Sequence, residues 1–165
     1  MFLEWWTRRK PSVLGLITGA IAGLATITPA SGFVLPWHGV VIGLLGGAFC
    51  FWACTWLKLR IGYDDALDVF GVHGVGGATG TLLTGVFAVA ALSASPDSPE
   101  GSAGLLEGNA RQVLIQFYAV IAVIIWSGVL TYLLLKAVEF FLPLRVSEQH
   151  EIEGLDLTQH GEAVQ

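Results

Sequence analysis

Charge is what this sequence has least of. Only 13% of its 165 residues are Asp, Glu, Lys or Arg, about half the share that a soluble domain carries, which excludes a water-facing surface over most of the chain. From Pro11 to Leu57 there is no charged residue at all, and two further charge-free runs cover Val69 to Pro96 and Gln112 to Leu135. Cysteine is nearly as scarce. Cys50 and Cys54 are the only two, too few for a disulfide framework, and their four-residue spacing on a helix holds the thiols apart along the axis. They read as small buried apolar side chains. Eight basic residues against thirteen acidic ones leave a net charge of −5, so there is no basic stripe to hold a nucleic acid. The first ten residues, MFLEWWTRRK, lack a cleavable-signal layout, because the basic group follows the aromatic residues instead of preceding an apolar core. That stretch reads as the tail of a preceding helix.

What is present is apolar. A hydrophobic share of 54% and a mean hydropathy of +0.69 belong to an integral membrane protein. One span takes about 20 residues, so the run from Pro11 to Leu57 is too long for one crossing and suits two. The segment TPASGFVLPW, Thr28 to Trp37, supplies the turn between them, since Pro and Gly punctuate helix ends. The expectation is an all-α membrane protein with four spans near 12–30, 36–57, 67–92 and 110–142, forming a transmembrane region over 1–143 followed by a tail over 144–165. Arg8, Arg9, Lys10, Lys58, Arg60, Lys136 and Arg145 then fall on one side, and only Arg111 on the other. By the positive-inside rule both ends of the chain are cytoplasmic. Trp5, Trp6 and Trp56 on the inner side and Trp37 on the outer side fit interfacial belts, and ordinary packing explains them as well.

Glycine is the second organising signal, with 21 in the chain. Gly15, Gly19 and Gly23 recur in the first span, Gly39, Gly43 and Gly47 in the second, and Gly76 and Gly80 in the third. Small residues at this spacing let helix backbones approach closely in lipid, so these helices expect partners. The outer segment SASPDSPEGSAGLLEGNA, Ser93 to Ala110, has no periodicity and is expected to be a solvated connection. The end, Ser147 to Gln165, carries five acidic residues and no basic one. It is either a solvated tail or, through Ile152, Leu155 and Leu157, a segment folded against the inner face.

The stretch with most chemistry is DDALDVFGVHGVGG, Asp64 to Gly77, which sets three carboxylates and an imidazole at the mouth of an apolar run. Ionisable groups beside a membrane span are costly and usually face a bundle interior or a polar path. A neutral imidazole at His73 offers one donor and one acceptor, enough to pass a small hydrogen-bonding solute or relay a proton, and burial favours that neutral form. A satisfied structural histidine is the competing reading. A metal site from Asp64, Asp65, Asp68 and His73 would need more ligands than one local cluster supplies. Thr18, Thr28, Ser31, Thr79 and Ser127 complete the polar groups in apolar surroundings. No catalytic constellation, cofactor motif or metal motif emerges, and an enzyme is not expected.

Three segments together are similar to something known. KPSVLGLITGAIAGLATITPASGFV at Lys10 to Val34, DDALDVFGVHGVGG at Asp64 to Gly77 and EIEGLDLTQHGE at Glu151 to Glu162 closely resemble the ammonium transporter (Amt) family, in the family's order. The resemblance implies a fold of eleven transmembrane helices, two inverted five-helix repeats and a last helix, assembled as homotrimers in the cell's inner or plasma membrane with one pore per subunit. The present spans would be the eighth to eleventh.

Position by position, His73 resembles the second of the family's twin pore histidines, with Val69 and Thr28 as pore-side neighbours. Asp65 and Asp68 fall in the motif that supports this helix and the cytoplasmic vestibule. Gly154, Leu155, Asp156, His160 and Gly161 lie in the segment that resembles the family's regulatory tail, where a PII-type signalling protein is the implied partner. The resemblance implies that ammonium gives up its proton on entry and that ammonia crosses a narrow apolar pore, and desolvation does disfavour the charged form of an amine. The first seven helices have no counterpart, nor do the first pore histidine, the outer recruitment site and the aromatic gate. His38, beside Trp37 at the outer interface, does not replace them. Two functions follow from this: the C-terminal part of a transporter, inactive without the missing helices, or a non-transporting membrane assembly or regulatory module.

Overall fold

Ser12 starts the first long helix, and a carboxylate locks it in place. A computed structural model describes residues 2–162. Helix α1 (Phe2–Arg8) presents Glu4, only 8% exposed, to the start of α2 (Val13–Ile27). The Ser12 hydroxyl accepts from Gly15 N–H at 2.9 Å and donates to Glu4 Oε1 at 2.8 Å, while Ser12 N–H donates to Glu4 Oε2 at 3.0 Å. An N-cap of this kind stabilises a helix by about 1 kcal/mol.

The next elements follow from punctuation. Helix α2 tightens into a 3-10 turn at Thr28–Ala30 around Pro29, and Gly32, at φ 84°, reverses the chain. Helix α3 (Pro36–Trp52) begins with proline at its first position, where the missing N–H costs nothing. It continues through a π turn, Ala53–Leu57, into α4 (Lys58–Ile61), which Gly62 ends at φ 72°. A second π turn, Phe70–Gly74, opens α5 (Val75–Phe87). Beyond it lie α6 (Ala90–Ser93), α7 (Arg111–Phe141), α8 (Glu148–Glu153) and a third π turn, Asp156–His160. Among the described residues, three stretches are long and apolar enough to cross a membrane: Val13–Ala30, Pro36–Ile61 and Arg111–Phe141. The span expected over 67–92 is shorter as a helix, because the chain turns extended at Ala88 and Val89, whose N–H donates to Phe33 O at 2.8 Å.

The chain forms two compact units, Met1–Ile121 and Ala122–Gln165. In the first, α2, α3 and α5 pack together around Ala22, Cys50 and Val72, with Ala25 and Cys54 beside them. These side chains are small because the backbones are close. Adding a Cβ to Gly80 would overlap the Thr26 carbonyl, and adding one to Gly46 would overlap the Thr26 side chain. The buried stripe of α3 is His38, Ile42, Gly46 and Cys50, and that of α2 is Ala22 and Thr26. Both stripes run one residue out of phase with the glycine series singled out in the sequence, whereas Gly76 and Gly80 of α5 are buried as expected. Gly19, Gly43 and Gly47 instead line an open groove of about 660 Å³ between α2 and α3, and apart from their own helix backbone and chain neighbours no described atom lies within 4 Å of where their Cβ would be.

The connection over 93–110 is mostly exposed, as expected of a solvated segment, and it is internally bonded. Glu107 Oε2 accepts from Ala90 N–H at 2.7 Å, Ser93 Oγ accepts from Ser102 N–H at 2.7 Å, and Asn109 Nδ2 donates to Ala103 O at 3.1 Å. Aperiodic side chains do here what a periodic pattern does in a helix, satisfying backbone groups locally.

In the second unit every residue of α7 from Ala122 to Phe141 is exposed. Ser147 caps α8, and Arg145 holds Glu151 through Nε and Nη2, the latter at 2.8 Å. The Thr158 hydroxyl donates to Gly154 O at 3.0 Å, so the tail folds on itself around Gly154, at φ 97°.

Candidate substrate path

Asp65 builds the start of the helix that carries His73. Its two carboxylate oxygens accept from Val69 N–H at 2.8 Å and Phe70 N–H at 2.9 Å, two of the donors that a helix start leaves unpaired. Asp68, at φ 57°, sits in the left-handed region, which Asp tolerates better than most residues. Its carbonyl accepts from Val72 N–H at 2.9 Å and its Oδ1 meets Lys58 Nζ at 2.7 Å. The same ammonium donates to the Asp65 carbonyl. Both carboxylates are committed to the helix start, and neither converges with His73 on a common point.

The helix that follows has two contrasting sides. Gly71 and Val72 are buried, and Gly71 lies so close to the π turn Ala53–Leu57 that a Cβ there would overlap Cys54 Sγ. Cys50 Sγ approaches Val72 O at 3.7 Å on the same side. Opposite them, His73 is exposed, with Val69 and Phe70 53% and 52% exposed. Phe70 meets Tyr63 edge to face, ring centroids 5.4 Å apart, and the Tyr63 hydroxyl is enclosed with no hydrogen-bond partner among the described residues. The open side therefore presents one imidazole between apolar neighbours, which can hydrogen-bond a small solute without offering it a counter-charge.

Thr28 is placed differently. Its hydroxyl donates to Leu24 O at 2.7 Å, closing the last turn of its own helix. The threonine at the crossing of α2, α3 and α5 is Thr26, fully buried, with its hydroxyl on Ala22 O at 2.8 Å and with Gly46, Gly76 and Gly80 around it. Sequence reading passed over it. Glycines on the two other helices, opposite one small polar residue, were the available signal. His38 is packed: it is 4% exposed, its ring centroid lies 3.9 Å from that of Trp37 and 5.0 Å from that of Phe87, and its Nδ1 accepts from Leu35 N–H at 3.2 Å. That acceptor role puts the proton of a neutral ring on Nε2.

Of the tail residues, Gly154 and Gly161 supply turns at φ 97° and 67°, Asp156 and His160 bound the π turn, and Leu155 is exposed. Among the described residues, no three His, Cys, Asp or Glu side chains gather as a metal cluster.

Comparisons with known proteins bear on the family and the fold. The chain is 46% identical to an ammonium transporter of Bacillus subtilis over 162 residues, 98% of this chain and 39% of that protein. The crystal structure of Candida albicans Mep2 superposes with a TM-score of 0.80 at 35% identity, covering 91% of this chain and 33% of Mep2. A structure of a sensor Amt protein superposes with a TM-score of 0.78 at 29% identity, over 96% of this chain and 37% of its own. This chain thus spans about two fifths or less of the length of each. The model of the Ammonium Transporter Family matches residues 1–165, and the chain belongs to that family of membrane transport proteins, which are not enzymes.

Proposed function

We propose that this chain is the C-terminal part of an ammonium/ammonia transporter or channel and forms one wall of its pore, with His73 and Val69 on the substrate path and Thr28 nearby. The observation that carries the reading is the open face of the His73 helix in a chain that covers 39% of an ammonium transporter. A lone imidazole between Val69 and Phe70 suits neutral ammonia, which needs only a few hydrogen bonds, better than a fully solvated cation. Asp65 and Asp68 support the helix from the cytoplasmic side. The groove lined by Gly19, Gly43 and Gly47 receives helices from the rest of the transporter, in the eleven-helix trimer of the family. Both ends of this chain face the cytoplasm, and the tail around Gly154, Leu155, Asp156, His160 and Gly161 regulates transport, with a PII-type protein as its partner.

The chain on its own is inactive in this reading, because glycine-lined faces and a lone imidazole do not make a closed path. Expressed alone in cells without their own ammonium uptake, it gives no growth on low ammonium; joined to the seven preceding helices of a related transporter, it restores growth. In that chimera His73→Ala changes conductance or selectivity. Saturable methylammonium uptake by the chain alone overturns the need for a partner, and an unaltered His73→Ala chimera returns His73 to a structural role.

A further inference from the structure

The two π turns of the first unit face each other. Ala53–Leu57 lies in the α3 to α4 run and Phe70–Gly74 at the start of α5, and they meet where Gly71 presses against Cys54. A π turn holds one residue more than an α turn, and each residue of an α-helix turns by about 100°. The direction in which His73 points, relative to the Gly76 and Gly80 face beyond it, therefore depends on the π turn keeping its extra residue. Something must hold the start of that helix against rewinding. Lys58 is the residue placed to do so: it ends the first π turn, its N–H bonding to Ala53 O, and its ammonium holds the Asp65 carbonyl and Asp68 Oδ1 just before the second. Asp65 in turn carries the Val69 and Phe70 N–H groups, and the Asp68 carbonyl carries Val72 N–H.

We propose that Lys58 is the positioning residue for His73, coupling one π turn to the cap of the other and so fixing the register of the helix that aims the imidazole. Its functional meaning rests on the pore reading given above; the coupling itself does not. Lys58 touches no substrate in this scheme. It acts through Asp65 and Asp68, and what it controls is orientation.

The test uses the whole chain in lipid nanodiscs with isotope-labelled histidine, valine and phenylalanine, comparing Lys58→Met and Lys58→Arg with the parent. In Lys58→Met the His73 imidazole resonances shift and the Val69 and Phe70 amides exchange with solvent about tenfold faster, as expected for a local opening, while His38 at the other end of α3 is unchanged. Lys58→Arg, which keeps the charge and the donors, returns both signals towards the parent. Unmoved His73 resonances and unchanged amide exchange in Lys58→Met overturn the proposal. So does a His38 shift as large as that of His73, which makes Lys58 a support for the whole bundle. These readouts need no transport, so a silent chimera in the uptake assay weakens the pore reading and leaves this result standing.

Discussion

Thr26 is the residue on which the packing of the first unit turns. Its carbonyl and side chain sit where Gly80 and Gly46 have no Cβ, so the three helices meet at a point where one methyl group is already too many. The obstacle at Gly80 is backbone, which cannot rotate away. Gly80→Ala is therefore expected to destabilise the protein by about 1–3 kcal/mol, the usual cost of overpacking, read as a lowered unfolding temperature in detergent. Gly19→Ala, facing open groove, should change it by no more than about 0.5 kcal/mol. Equal effects at the two positions would remove Thr26 from this role. The sequence made the importance of glycine plain but not its phase. Gly43, Gly46 and Gly47 offer small residues on two adjacent faces of α3, and nothing in one chain says which face meets Thr26 of α2 and which lines the groove.

At the scale of elements, helix starts were the most readable feature and helix interiors the least. Ser12 and Pro36 open helices where the sequence places span starts, whereas the short helix after Ser147 is not among the expected elements, and the π turns depend on the close approach of Gly71 to Cys54, a contact between distant segments. The tail element α8 makes a pH prediction. The Arg145 guanidinium, hydrogen-bonded to Glu151, holds that carboxyl below its usual range. A lowered carboxyl stabilises the folded tail above the ordinary glutamate value and loses that contribution as the pH falls through the lowered one. Amide protection in α8 should accordingly be level near neutral pH and drop in acid below about pH 4.5. Glu151→Gln should remove the acid-dependent part of that drop, and a Gln variant with the same profile as the parent would show that the pair does not hold the helix.

For the molecule as a whole, the apolar runs led to three of the four expected long helices, while the proposed path past His73 rests on likeness to a family, because one imidazole in an apolar run also suits a structural role. Orientation remains a matter of charge. On the four-span expectation, which puts seven of the eight basic residues on one side, a cysteine introduced at Ser98, in a background without Cys50 and Cys54, should react with a membrane-impermeant reagent on intact cells. One introduced at Arg9 should react only after permeabilisation. The reverse pattern would invert the topology. The facing π turns carry a different kind of consequence, one of chain length. Losing a single codon between Ala53 and Leu57 would leave every charged residue in place, yet it would swing Lys58 by about 100° around its helix, away from Asp68. In this part of the gene, a change of apolar side chain should be better tolerated than an in-frame deletion.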